Sequence, residues 1–249
     1  MICSVAKHLV ISVVSHKQAH LVAELLSDIA ALCNPSTMMV LVTINIEETI
    51  PFKETEFPFE LVIIRNPSPK GFGANHNAAF SKIKCDFFCV LNPDIRLTID
   101  PFPPLLAELG KANTGLVAPL IVDPFGKVED SARRVITPLS IARRILKLGK
   151  GPDYIINGLP IFPDWAAGMF LLFRGHAFSD VKGFDEGYFM YCEDADVCAR
   201  LWRFGHRIAL VPSIAVIHNA QRKSHWSVSH ICWHIASLFR YFAKYGHND

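Results

Sequence analysis

The chain has 249 residues, 51% of them hydrophobic, which is enough apolar material for one large α/β domain with a real core. A formal net charge of +2 and eleven scattered histidines leave no basic field of the kind that binds nucleic acid. Seven cysteines (positions 3, 33, 85, 89, 192, 198 and 232) form no Cys-x-x-Cys pair, and the odd count fits a disulfide framework poorly, so we expect reduced thiols and a cytoplasmic location.

In chain order, His8–Ser15 is a continuous apolar run, the mark of a strand buried on both faces. Leu9–Val14 within it is too short for a signal-peptide core, and no stretch reaches the ~18 apolar residues of a membrane span. Lys17–Cys33 places Leu21, Leu25, Ile29 and Leu32 on one helical stripe. Met38–Ile44 and Glu60–Ile64 read as strands, Gly73–Lys82 as a helix and Asp86–Leu91 as a fourth strand. A short helix near Pro104–Gly110 precedes a strand at Leu116–Val122. This alternation predicts an α/β fold with a mostly parallel central sheet flanked by helices, its ligands at the carboxyl ends of the strands.

The second half has another texture. Ser131–Lys150 is basic and broken by Pro138, Ala166–Phe173 is apolar, Val181–Asp185 is a turn and Glu193–Phe204 a helix. Arg207–Val211 and Ile214–Ile217 read as two short strands, and His225–Tyr245 as an aromatic-rich helix. We find no repeat, no low-complexity tract and no clear linker. A single domain is expected, with a nucleotide-binding half at about 1–122, an acceptor half at about 123–220 and a helical tail at 221–249.

Four places carry chemistry. Asn92-Pro93-Asp94 directly follows the fourth strand, where a carboxylate faces the crevice over the sheet and could hold a hard divalent cation. The same tripeptide also reads as a turn that caps the strand. Glu193-Asp194-Ala195-Asp196 opens a helix, where acids offset the macrodipole. Three carboxylates in four residues exceed that need, and like charges this close raise a pKa and can make one a general base. Asp196 and Arg200, four apart, read as a surface pair. Gly71-Phe72-Gly73-Ala74-Asn75-His76-Asn77 brings small residues to a helix start, a place for phosphate or ribose, but it matches neither a dinucleotide fingerprint nor a phosphate loop. His218, after the last strand, reads either as a metal ligand or as a structural hydrogen-bonder.

Taken together, the segments VISVVSHK, RNPSPKGFGANHNAAF, FFCVLNPDI and AAGMFLLFRGHAFSDVKGFDEGYFMYCEDADVCARLWRFGHRIALVPSIAVIH resemble family 2 glycosyltransferases of the GT-A fold, in particular the bacterial rhamnosyltransferase-like branch. They run in the family's order from Val10 to His218. The resemblance implies an inverting enzyme that moves a sugar, rhamnose from dTDP-rhamnose first among the candidates, from a nucleotide diphosphate to an acceptor hydroxyl in surface polysaccharide synthesis. It implies Asp194 as catalytic base with Glu193 beside it, and Mg²⁺ or Mn²⁺ held by Asp94 with His218. It also places Ser15, Asn45, Asn66, Gly71, Asn77, Asn92, Asp94 and Gly168 around the nucleotide sugar, with Gly168 flooring the acceptor side.

The sequence departs from the family at three points. Asn92-Pro93-Asp94 stands for Asp-x-Asp, Thr43-Ile44-Asn45 for an Asp-Asn ending, and Lys182 for the first glycine of Gly-Gly-Phe-Asp. Other readings are a transferase of a UDP- or GDP-linked sugar and a non-catalytic sugar-nucleotide-binding module. A sugar-nucleotide nucleotidyltransferase would need a Gly-rich loop after the first strand, where Ser15-His16-Lys17-Gln18 stands. The expected acceptor is lipid-linked or an oligosaccharide. The basic stretch and the tail, with Trp226, Trp233, Phe239, Tyr241, Phe242 and Tyr245, either touch a membrane surface or simply pack and solvate the domain.

Overall fold

The computed structural model describes residues 7–146, 152–220 and 228–246. Cys3, Lys147, Lys150, His225 and Trp226, which entered the sequence reading, lie outside the described residues. The first three strands are β1 (Lys7–Ser15), β2 (Met38–Ile44) and β3 (Glu60–Arg65), followed by β4 (Cys85–Leu91) and the two-residue β5 (Ile95–Arg96). Then come β6 (Thr114–Val122), β7 (Ala132–Arg133), β8 (Trp165–Ala166), β9 (Phe170–Arg174) and β10 (Arg207–His218). The helices are α1 (Ala19–Leu32), α2 (Phe72–Phe80), α3 (Phe102–Leu109), α4 (Pro138–Ile145), α5 (Gly175–Asp180), α6 (Glu193–Arg203) and α7 (Val228–Tyr245).

Eight strands form one sheet in the order β3-β2-β1-β4-β9-β6-β10-β5, and β7 pairs with β8 beside it. The neighbours β3, β2, β1 and β4 are parallel, as are β6 and β10, while β9 runs antiparallel between β4 and β6. Strand β9 comes from the second half of the chain and lies inside the sheet built by the first. The two halves therefore share one sheet.

The period of two along each strand divides the core. Leu9, Ile11 and Val13 of β1 face Leu25, Leu26 and Ile29 of α1 and Leu105 of α3, whereas Val10 faces the layer of α2, α5 and α6. Full burial of each such side chain contributes about 1.5–3 kcal/mol, which is why unbroken apolar runs become central strands here. A third, smaller cluster joins Tyr188, Cys192 and Ala195 to Tyr241 of α7.

Several boundaries differ from the sequence reading for physical reasons. Helix α1 starts at Ala19 because Lys17 sits in the left-handed region (φ 61°). The two short strands expected after Arg207 are one strand, β10, whose register slips between Val211 and Ala215. The run Ala166–Phe173 splits between β8 and β9, and α5 follows where no helix was expected. Lys182, standing where the family has glycine, has φ 61° and is followed by Gly183 at φ 66°.

Candidate active site

Pairing at one sheet edge builds the first half of the site. Strand β5 pairs with the end of β10, His218 opposite Ile95, and the Asn219 amide donates to the Asp94 carbonyl at 2.8 Å. These bonds fix Asp94 and His218 side by side, with Asp94 Oδ2 3.3 Å from His218 Nε2. Asp94 Oδ1 is buried and has no hydrogen-bond partner. On its other side, His218 Nδ1 lies 2.7 Å from Oε2 of Glu129. Burial pushes the His218 imidazole down, but its hydrogen bonds and charge interactions with Asp94 and Glu129 outweigh this, so its pKa is raised. Among the described residues, no group of three or more His, Cys, Asp or Glu side chains is arranged to hold a metal ion by itself. A site completed by substrate oxygens needs only one or two protein ligands, and Asp94 with its orphaned oxygen suits that chemistry.

The second half lies at the start of α6. Asp194 accepts from the Gly168 amide (Oδ2, 3.1 Å) and the Ala195 amide (Oδ1, 2.8 Å). As a residue Asp194 is only partly buried, whereas Glu193 is only 6% exposed and its Oε2 has no partner. Burial and the neighbouring Asp194 charge raise the Glu193 carboxyl well above its ordinary range. Burial also raises Asp194, partly offset by the backbone donors of Ala195 and Gly168 and by Arg133. The turn into this helix has two consecutive left-handed residues, Tyr191 (φ 73°) and Cys192 (φ 64°), a costly conformation that surrounding contacts must hold. Helix α7 supplies them: Ser237 Oγ donates to the Met190 carbonyl at 2.7 Å, and the Tyr191 hydroxyl meets His230 at 2.7 Å.

Asp196 pairs with Arg200 as expected, but in the interior and not at the surface. It is fully buried, and its carboxylate takes Arg200 at 2.7 Å, Lys244 at 2.5 Å and the Tyr245 hydroxyl at 2.8 Å. A charge at zero exposure needs such a set of donors; Arg200 is the i+4 neighbour, but Lys244 and Tyr245 come from α7 and could not be seen in that spacing. Nearby, burial raises Asp185, but Arg240, the Gly187 amide and Lys244 outweigh that and bring it down to about 2.

The residues expected around the nucleotide fall into two groups. Asn45, Asn66 and Asn75 form an amide network: Asn66 donates to Asn45 (2.9 Å) and Asn75 (2.6 Å), and Asn45 clamps both the amide and the carbonyl of Lys70. Asn77 holds the amide and carbonyl of Phe184. These side chains hold loops in place. The close backbone approach read from the glycines is made to the protein itself, since a Cβ on Gly71 would stand 2.6 Å from the Phe189 carbonyl oxygen. Ser15 donates to Glu48 at 2.5 Å, and Glu48 also accepts from the amides of Lys17 and Ala19 at the start of α1. Glu48 and Glu129 had no motif around them, and their partners are about 30 and 89 residues away in sequence. An open groove of about 770 Å³ runs along the outer face of α2, and none of Asp94, Glu193, Asp194 or His218 lines it.

The two halves meet in one loop. The Asn92 amide donates to the Met169 carbonyl at 2.9 Å, so Gly168 and Met169 link the Asp94 loop to Asp194.

Solved structures share this architecture. That of GalNAc-T7 with UDP, GalNAc and Mn²⁺ matches 98% of this chain and 49% of its own (TM-score 0.72, 14% identity). That of the mannosyltransferase PcManGT from Pyrobaculum calidifontis with GDP-Man and Mn²⁺ matches 98% and 66% (TM-score 0.63, 15% identity). At such identities the likeness is one of fold, and the fold is that of the GT-A glycosyltransferases. Residues 49–170 match the family described as Glycosyl transferase family 2. Rhamnosyltransferase WbbL of Escherichia coli (strain K12) is 35% identical over 187 residues, 70% of each chain. N-acetylglucosaminyl-diphospho-decaprenol L-rhamnosyltransferase of Mycobacterium tuberculosis is 33% identical over 172 residues, 64% of this chain and 55% of that one. The chain belongs to the family 2 glycosyltransferases, in the rhamnosyltransferase branch.

Proposed function

We propose that the chain transfers a sugar, rhamnose from dTDP-rhamnose, to an acceptor hydroxyl in cell-surface polysaccharide synthesis with inversion at the anomeric carbon. The observation that carries this is the difference between two adjacent acids: Glu193 is buried, whereas Asp194 is only partly buried and is held by the Gly168 and Ala195 amides. Only Asp194 can meet an acceptor, and its raised pKa makes it a better proton acceptor than an exposed aspartate. The Gly168 amide keeps it oriented while the acceptor oxygen attacks. The names of the two bacterial relatives support rhamnose as the sugar.

Asp94 and His218 would hold Mg²⁺ or Mn²⁺, the fit resting on the orphaned Asp94 oxygen beside the imidazole. Such an ion supplies positive charge to the leaving diphosphate. Ser15, Asn45, Asn66, Gly71, Asn77 and Asn92 border the donor in this reading, the amides chiefly by fixing the loops.

The mycobacterial relative's name, with its decaprenol diphosphate, supports a lipid-linked acceptor. In this reading a lipid-linked acceptor brings the chain to the cytoplasmic face of a membrane by peripheral contact. Of the tail aromatics, Trp233 meets Phe189, and Tyr241, Phe242 and Tyr245 pack inward, while Phe239 faces outward with Val228, Ile231 and Ile235. That outward stripe is the surface suited to lipid. Among the described residues no helix is long and apolar enough to cross a membrane.

The test is a transfer assay of the purified chain. dTDP-rhamnose and UDP- and GDP-linked sugars are offered with a lipid diphosphate-sugar acceptor, with and without Mn²⁺. Metal-dependent product from dTDP-rhamnose, of inverted configuration by NMR, is expected. Product from only a UDP- or GDP-sugar overturns the donor, and donor binding with no product under any condition favours a binding module.

A further inference from the structure

Resting on the reading of Asp94 and His218 as metal ligands, we propose that Glu129 is a positioning residue that fixes the tautomer and orientation of His218. The geometry is a line of three side chains from three parts of the chain: Asp94, His218 at 3.3 Å and Glu129 at 2.7 Å. With Glu129 accepting from Nδ1–H, the lone pair of a neutral His218 lies on Nε2, toward Asp94. Asp94 Oδ2 facing that lone pair repels it unless a proton or a cation joins them, and the orphaned Oδ1 of the same carboxylate offers a second oxygen to a cation. An imidazole ligand whose other nitrogen donates to a carboxylate is thereby held in one orientation and made more basic.

The backbone shows that Glu129 is held for this contact. Its amide donates to the Ile121 carbonyl of β6 at 2.9 Å, and Val128 bridges back to Val122. Strand β10 pairs with β6 on that same stretch, Ile217 opposite Val122, so Glu129 and the residue next to His218 are anchored to adjacent residues of one strand. The Glu129 side chain is 21% exposed, and its partner His218 is 15% exposed. An unpaired carboxylate at that depth would be costly, which sets the pair apart from an incidental surface contact.

The experiment uses the full chain and the variants Glu129→Gln, Glu129→Ala, Asp94→Asn and His218→Ala, with folding checked by circular dichroism. Mn²⁺ alone is titrated by electron paramagnetic resonance, and the His218 tautomer is read from ¹⁵N imidazole shifts. We expect Glu129→Ala to weaken Mn²⁺ binding by about 10–100-fold and lose the Nδ1–H form. Glu129→Gln, whose amide oxygen still accepts from Nδ1–H, should keep that tautomer and lose less affinity. A Glu129→Ala protein with wild-type Mn²⁺ affinity and tautomer overturns the positioning role alone, provided Asp94→Asn and His218→Ala lose the metal. If those two variants also bind Mn²⁺ as wild type does, the ligand reading itself falls, and the role of Glu129 with it.

Discussion

The Gly168 amide donates to Oδ2 of Asp194 at 3.1 Å, across 26 residues of sequence. The next residue, Met169, accepts from Asn92, two positions before Asp94. One short loop thus links Asp194 to Asp94, the base and the metal-side carboxylate of the proposed reaction. A shift in this loop would move both ends of the reaction together.

Asp194→Asn keeps an acceptor for the Gly168 amide but removes the base. Transfer should fall by about 10²–10⁴-fold while donor binding stays within about threefold, as measured by steady-state kinetics and calorimetry. Glu193→Gln should retain activity within about tenfold, because Gln resembles the neutral carboxyl that burial favours there. Equal losses in both variants would remove the distinction between the two acids.

Activity should fail on the acid side at a pH above the ordinary carboxylate range. Asp194 must be ionised to accept a proton and its pKa is raised, so lowering the pH protonates it earlier than an exposed aspartate. The kcat/KM profile should show this limb as a property of the Glu193–Asp194 pair, and Asp194→Asn should abolish it. A profile flat down to about pH 4 contradicts the assignment.

His76 is fully buried beside Ser12, with Nε2 unpartnered, and burial lowers its pKa to about 3 from 6.5. Between those values only the unfolded chain takes the proton. Stability is therefore full above pH 6.5 and falls as the pH drops toward 3, by about 1.4 kcal/mol per pH unit. Urea denaturation from pH 7 to 5 should show this slope, and His76→Leu should flatten it whatever it does to absolute stability.

Lys182→Gly should stabilise the fold by up to about 1 kcal/mol, read as a rise in Tm, since the left-handed conformation strains a lysine but not a glycine. Gly71→Ala should do the opposite by about 1–3 kcal/mol, because the new methyl meets the Phe189 backbone oxygen at 2.6 Å. If Gly71→Ala has the Tm of wild type, the α2 start is more yielding than its packing implies.

Strands β1, β2 and β6 were legible because they are buried on both faces and so must be apolar almost throughout. Met38–Ile44 was read to the residue. Helix α5 was not, since six residues span less than two turns and show no period. Nor was the insertion of β9: an apolar run does not say which neighbours it pairs with. In the site, the acids at 94 and 193–194 stood out because a strand end and a helix start place them. Glu48 and Glu129 are single acids in loops whose partners are brought in by tertiary folding, and Asp196 passed for a surface residue because Lys244 and Tyr245 reach it the same way.

The place of β9 inside the sheet also constrains how the protein is made. Strand β4 ends at Leu91, and the strand that covers its free edge begins at Phe170, roughly 80 residues later. At about 5–20 residues per second of synthesis, that edge waits on the order of 4–16 s on the ribosome. For that time the nascent sheet offers Phe87–Leu91 as a template for any passing strand. The cell meets this enzyme first as an unfinished edge, and its yield depends on what shields those five residues until Phe170–Arg174 arrives.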